Sequence, residues 1–335
     1  MIGVGEHGRH HARTLSEIPE ARLAGVYDLV AERATEVAAS LGVRAFGSLE
    51  EALAAVEAAS IVIPTSEHAA VAHQALAAGV DVLVEKPITR TVEEADELVE
   101  RAAAGRRILQ VGHVERFNPG VVAARAITRQ PLFFEIHRLG VFSPRSLDVD
   151  VVFDLMIHDL DLVLWMVDAP VSDVRAVGLP VLSDKVDIAN ARVEFANGAV
   201  ANLTASRVST ERVRKFRYFQ PNEYVSIDFA RRDAIALSVD RDGASPHIGF
   251  RKLGAPEHST GTASLANSAP PAADPLRAEL EAFVSSVRTR RPPLVGGAEG
   301  RAALALAERV MNCIEEHAAQ LKIPLGRSIG VSGEL

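Results

Sequence analysis

Cysteine is almost missing from these 335 residues. The lone thiol, Cys313, has no partner within the chain, so no internal disulfide framework is available to the fold. Its Ala/Leu-rich helical surroundings read as those of a buried structural thiol, and the reducing cytoplasm is the expected compartment. An excess of positive charge is missing too. Lys and Arg number 36 against 44 Asp and Glu, a formal net charge of −8, whereas displacing counterions from a phosphate backbone needs a basic face. Nucleic acid is therefore excluded as the main partner. Long apolar runs are also lacking. The most apolar segment, Val151 to Val171, is interrupted by Asp154, His158, Asp159, Asp161 and Asp168, which rules out an ordinary membrane span, and no charged-then-apolar leader opens the chain. No repeat of fixed period is visible.

What is present is ordinary in bulk. Hydrophobic residues at 48% and charged residues at 24% fit a globular protein, and the length suits two domains. The opening MIGVGEHG reads as Gly3-x-Gly5-x-x-Gly8, a dinucleotide-binding fingerprint if it lies between a buried strand and a helix. The helix side is clear, since Arg9 to Ile18 contain neither glycine nor proline. The strand side is short. Ile2 and Val4 are expected to carry its pairing unless the natural start lies upstream.

ARLAGVYDLV then reads as a strand ending at Asp28, 20 residues beyond Gly8, where the fingerprint wants an acid for the adenosine ribose hydroxyls. A strand-end aspartate capping the next helix is the alternative. SLEEALAAVE, HAAVAHQALAAG and TVEEADELVERAAAG read as helices, the last with a Thr91 cap and a Gly105 stop. ASIVIPTS, DVLVEKP and RILQVGH read as strands. Alternation of this kind predicts a parallel sheet with helices on both faces. From about Val121 the pattern changes. Asn197-Gly198 between alternating strands predicts a hairpin, and KFRYFQPNEYVSIDF continues an antiparallel sheet. The Gly, Ser, Ala and Pro-rich residues 241–274 are expected to be a long exposed loop, and Pro275 to Leu321 to be helical with a break at RRPPLVGG.

Ligands of open parallel sheets bind beyond the strands' carboxyl ends, so the residues there come under scrutiny. Pro64-Thr65-Ser66-Glu67-His68 is a polar turn, either a helix cap through Ser66 or Thr65 or a cofactor contact. Glu85-Lys86-Pro87 follows a buried strand, which would aim Lys86 into a crevice unless it is a solvated surface lysine. In FDLMIHDLDLVLWMV, about 100° per helical residue sets Asp154, His158 and Asp161 in one stripe of an otherwise apolar helix. A carboxylate one turn before a histidine suits proton transfer, and a satisfied packing cluster is the alternative. His7, His10 and His11 bunch at the first helix, where surface exposure or phosphate contact explains them better than a metal, so no metal is expected.

The ordered set GVGEHG, VYD, IPTSEHAAVAHQALAAG, VEKP, VGHVERFNP and DLMIHDLD resembles the Gfo/Idh/MocA oxidoreductases along essentially the whole chain. The resemblance implies an α/β protein with an N-terminal Rossmann fold, residues 1–118, and a C-terminal α/β domain with an open, largely antiparallel sheet, residues 119–335. It also implies homodimers or homotetramers formed through that sheet, with the C-terminal helices as candidates to pack back on the first domain. Gly3, Gly5, Glu6, His7, Gly8, Asp28, Pro64, Thr65, His68, Glu85 and Lys86 become the cofactor set, and NAD is favoured over NADP because Asp28 would repel a 2′-phosphate, although Arg33 lies close by. His113, Arg116, Asn118 and Asp161 become substrate contacts, with Arg214 and Lys215 as further cations. Lys86, Asp154 and His158 become the catalytic group: His158 takes the hydroxyl proton, Asp154 holds the ring and Lys86 stabilises the charge on oxygen. Within the family the chain looks most like the branch that oxidises C3 of UDP-N-acetylglucosamine-type sugars. A dehydrogenase of a free sugar or inositol, or a cofactor-sensing regulator without turnover, are the alternatives.

Overall fold

A computed structural model of the chain describes residues 1–142, 149–240, 247–253 and 274–326. They fall into two compact units, Met1–Val114 with Pro275–Leu304 and Glu115–Asp274 with Ala305–Leu335. The first division thus comes at Val114, and a later segment returns to the first unit.

In the first unit α1 (Glu6–Glu17), β1 (Gly25–Val26), α2 (Ala31–Leu41), β2 (Arg44–Ala45), α3 (Leu49–Ala54), β3 (Ala58–Ile61), α4 (Thr65–Ala77), β4 (Asp81–Glu85), α5 (Val92–Gly105) and β5 (Leu109–Gly112) follow one another. Strands β1 and β2 pair in parallel, as do β3, β4 and β5. The opening residues join the two sets. Ile2 bridges Tyr27 on one side and Ile61 on the other, both in parallel. The shortened strand therefore occupies the centre of the sheet through Met1 to Gly3. Val4 departs from expectation: its N–H leaves the ladder for the Asp28 carboxylate, at 2.8 Å. Val82, Leu83 and Val84 of β4 are fully buried, as a strand covered by helices on both faces requires. Thr91 caps α5 by accepting from Glu94 N–H, and Arg106, in the left-handed region, ends that helix after Gly105.

The second unit opens with α6 (Pro119–Ile127) and β6 (Phe133–Val141), followed by a π-helical turn, Val152–Met156, that leads into α7 (Ile157–Val167). Strands β7 (Val171–Leu179), β8 (Ile188–Phe195), β9 (Val200–Ser209), β10 (Val213–Gln220), β11 (Glu223–Asp228), β12 (Asp233–Asp240) and β13 (His247–Leu253) complete one open sheet. Its order is β13-β12-β11-β10-β6-β9-β8-β7, antiparallel throughout except where β6 meets β9. The Asn197-Gly198 turn joins β8 to β9 as expected, with Gly198 at φ +85°. Strand β13 was not anticipated, since its residues lie within the segment expected to be a loop. The rest of that segment, 241–246 and 254–273, lies outside the described residues. One sheet face is core, with Phe134, Ile136, Phe216 and Tyr218 almost fully buried.

Two helices close the chain, α8 (Pro275–Thr289) and α9 (Gly297–Leu321), separated near RRPPLVGG as the prolines dictate. Among the described residues no helix is long and apolar enough to cross a membrane.

Candidate active site

The glycine turn is shaped by close backbone approach. Gly3 has φ +79°, and a Cβ there would stand 2.2 Å from the Val62 carbonyl oxygen; one on Gly8 would stand 2.0 Å from the Gly3 oxygen. Only glycine fits either position. In front of Gly5, by contrast, a Cβ would meet nothing within 4 Å. Helix α1 begins there with no side-chain cap, so its first backbone N–H groups face that open side. Backbone amides at an uncapped helix start beside open space suit a pyrophosphate, and this fits a dinucleotide. Glu6 and His7 are exposed in that first turn. Asp28 stands alongside, accepting from Val4 N–H at 2.8 Å and from Val30 N–H at 2.9 Å, with Arg33 at 3.2 Å.

The next positions lie past β3, β4 and β5. Helix α4 starts at Thr65 with Pro64 as its N-cap residue and no side-chain cap bond, so neither Ser66 nor Thr65 caps it as expected. His68 turns inward. Its ring is buried, with Nδ1 2.8 Å from the Pro87 carbonyl and Nε2 3.0 Å from the Ile63 carbonyl. It ties two loops together, and burial pushes its pKa down even though both carbonyls favour the charged ring. Glu85 and Lys86 are half-buried at the tip of β4, and His113 is buried beyond β5. His11 corrects the expected surface exposure: it is 3% exposed, with Nδ1 3.1 Å from Ser60 Oγ and Nε2 3.2 Å from Glu85 Oε1.

In the second unit the chemistry gathers on the π-helical turn. The Ile157 N–H reaches back to the Val152 carbonyl, five residues earlier, so the stripe expected from an even α-helix starts with a wider turn. Val151, Val152, Phe153, Met156, Ile157 and Leu160 are fully buried around it, while Asp154 and His158 remain half-buried. The pair is thus held rigidly by an apolar core and keeps access to solvent.

Behind them lies a buried ionic network. Arg116 grips Asp161 with two bonds, Nε to Oδ2 at 2.7 Å and Nη2 to Oδ1 at 2.6 Å, and stacks on Trp165 at 5.0 Å. Both side chains are under 5% exposed, so these two expected substrate contacts are spent on each other. Asn118 is likewise committed: it caps α6 by accepting from Gly120 N–H and donates to Glu115. Arg138 holds Asp159 through two bonds of 2.8 Å and Glu115 through one of 3.0 Å. Burial opposes its charge, but the two carboxylates outweigh that and push its pKa up. Asp159, Arg138 and Glu115 were not anticipated. The signal was there, because alternation along β6 sets Arg138 on the same face as Phe134 and Ile136, and a buried cation must find anions. Lys215 is paired with Asp228 at 2.5 Å. Arg214 remains exposed opposite Arg138 in the β10/β6 register.

Comparison with known proteins agrees with both units. Residues 1–113 match the model of the oxidoreductase family with an NAD-binding Rossmann fold, and residues 120–219 match the GFO/IDH/MocA C-terminal domain. The chain is 44% identical to UDP-N-acetylglucosamine 3-dehydrogenase of Acidithiobacillus ferrooxidans over 94% of its own length and 96% of that protein. It is 30% identical to scyllo-inositol 2-dehydrogenase (NAD(+)) of Bacillus subtilis over 62% of its length and 67% of that one. A solved structure of the Acidithiobacillus enzyme superposes with a TM-score of 0.83 at 42% identity, covering 94% of this chain and 96% of that one. Levoglucosan dehydrogenase in complex with NADH has the same fold, with a TM-score of 0.83 at 20% identity, again over 94% and 96%. The chain belongs to the Gfo/Idh/MocA oxidoreductase family and carries that family's NAD-binding Rossmann domain.

Proposed function

We propose that this protein is an NAD-dependent dehydrogenase acting on C3 of a UDP-N-acetylglucosamine-type nucleotide sugar. The observation that carries this reading is the extent of the likeness. Identity of 44% with a UDP-N-acetylglucosamine 3-dehydrogenase runs through 94% of the chain, whereas the likeness to an inositol dehydrogenase spans 62%.

Bound NAD supplies a hydride acceptor at its nicotinamide ring. The glycine turn and the uncapped start of α1 hold its pyrophosphate, and Asp28, fixed by two backbone amides, meets the adenosine ribose. The half-buried His158 is the base we assign to the proton of the carbinol oxygen, and the cofactor, when bound, would accept the hydride from the same carbinol. Asp154, one turn earlier, orients the imidazole. Lys86, at the tip of β4 in the first unit, is the cation we assign to stabilising negative charge on the substrate. Arg214, exposed at the edge of the buried network, is the cation we assign to the substrate's diphosphate.

The outer sheet face is the surface we assign to a second copy of the chain. Phe133, Phe219, Tyr224, Leu237 and Phe250 stand in one register line across β6, β10, β11, β12 and β13. Phe250 is 64% exposed, as a face awaiting its partner would be. Phe219→Arg is expected to reduce the oligomer mass seen by light scattering. We assign the protein to the cytoplasm, where a lone thiol stays reduced.

The test is to incubate the protein with NAD and, separately, UDP-N-acetylglucosamine, inositol and glucose while following reduced cofactor. Reduction with the nucleotide sugar alone is the expected result. Reduction with inositol or glucose would overturn the substrate assignment, and none with any sugar would favour a cofactor sensor.

A further inference from the structure

Glu279, on α8 in the first unit, is fully buried, yet among the described residues neither carboxyl oxygen has a hydrogen-bond partner. Its carboxyl, the Glu85 carboxyl and the His11 ring offer atoms that all lie within 4.8 Å of one another. Around them the packing is specific. His11 reaches Ser60 Oγ with one nitrogen and Glu85 Oε1 with the other, while Glu85 Oε2 accepts the Lys86 backbone N–H at 3.1 Å. Gly112 leaves room for this carboxylate, since a Cβ there would stand 2.8 Å from Glu85 Oε1. Gln110 fixes α8 from the neighbouring strand by donating to the Glu279 carbonyl at 3.1 Å. Two ionised carboxylates this close and this buried cannot coexist without added positive charge.

We propose that His11, Glu85 and Glu279 form a buried proton-holding site, in which Glu279 is a neutral acid and His11 keeps the Glu85 carboxylate against the Lys86 backbone. Glu279 and His11 are then positioning residues for the Lys86 segment, a role that rests on the reading of Lys86 given above. The charges bearing on the site come from every side. His11 faces it from α1, Glu85 and Lys86 from β4 and its tip, and Glu279 from α8; Ser60 of β3 and Gln110 of β5 are neutral. Burial pushes the Glu279 carboxyl well above the ordinary glutamate value, and the Glu85 charge adds to the shift. Burial alone would also raise Glu85, but His11 and Lys86 outweigh it and bring that carboxyl below the ordinary value.

The sign of the pH effect follows. Below about pH 4.3 both native and unfolded chains hold the Glu279 proton; above it only the native chain does, so stability falls as pH rises toward the raised native value. Glu279→Gln has no proton to hold. It is expected to raise Tm at about pH 8 by roughly 2–4 °C, with the gain shrinking toward about pH 5. His11→Ala is expected to speed hydrogen exchange of the Lys86 amide by about tenfold and to lower kcat about tenfold with little change in KM for NAD. A lower Tm for Glu279→Gln at about pH 8, or a stoichiometric divalent metal found in the purified protein by elemental analysis, would overturn the proposal in favour of a cation site. Unchanged Lys86 exchange in His11→Ala would overturn the positioning role. The melting and exchange measurements need no substrate, so a failed substrate assignment cannot be mistaken for failure of this site.

Discussion

The two units hold their key carboxylates by different means. In the first, Asp28 is fixed by the backbone amides of Val4 and Val30 and has the half-buried Arg33 beside it. In the second, Asp159 and Asp161 are each clasped by a buried guanidinium. A carboxylate held by amides keeps its charge for a ligand, whereas one clasped by an arginine has given that charge to the core. The first arrangement serves recognition and the second serves rigidity. This explains how His158 can sit beside several acids and still have Asp154 as the carboxylate assigned to orient it.

The contrast breaks most visibly at Arg138. Replacing it with alanine leaves Asp159 and Glu115 buried without a cation, and we expect a loss of about 3–5 kcal/mol, read as a lower denaturant midpoint. Asp28→Ala should behave in the opposite way. The fold should hold better than in Arg138→Ala, because two neutral backbone amides and not two buried carboxylates lose their partner, while NADH binding weakens by about tenfold, or roughly 1.4 kcal/mol, by titration calorimetry. A stability loss for Asp28→Ala as large as that for Arg138→Ala would erase the distinction. The smallest effect belongs to a local contact with no part in either arrangement. Thr91→Ala removes the cap on Glu94 N–H and should reduce stability by about 1 kcal/mol while leaving cofactor binding unchanged.

The same contrast explains what could be read in the sequence. The glycine turn, Asp28, the Thr91 cap and the Asn197-Gly198 hairpin are local, with spacing set by backbone geometry, so their residue types announce them. The second unit's network is not local. Arg138 and Asp159 are 21 residues apart and Arg116 and Asp161 are 45 apart, and nothing in either neighbourhood names the partner. Arg116 and Asn118 illustrate this: one pairs with Asp161 and the other caps α6, and neither role shows in its own stretch of sequence. The burial of His68 and His11 is hidden for a related reason. Each lies on a helix whose sequence pattern leaves its facing side ambiguous, and only the packing of α4 and α1 shows both rings buried. The π-helical turn at Val152–Met156 was equally hidden, because its extra residue reflects how the helix is seated and not a residue type.

The most direct measurement compares the unsubstituted protein with His158→Ala, using UDP-N-acetylglucosamine and NAD and reading both reduced-cofactor formation and NADH affinity. If His158 is the base, the variant binds NADH with unchanged affinity and its turnover falls by about 10²–10⁴-fold. Turnover that survives the substitution, or NADH binding that disappears with it, would contradict the account.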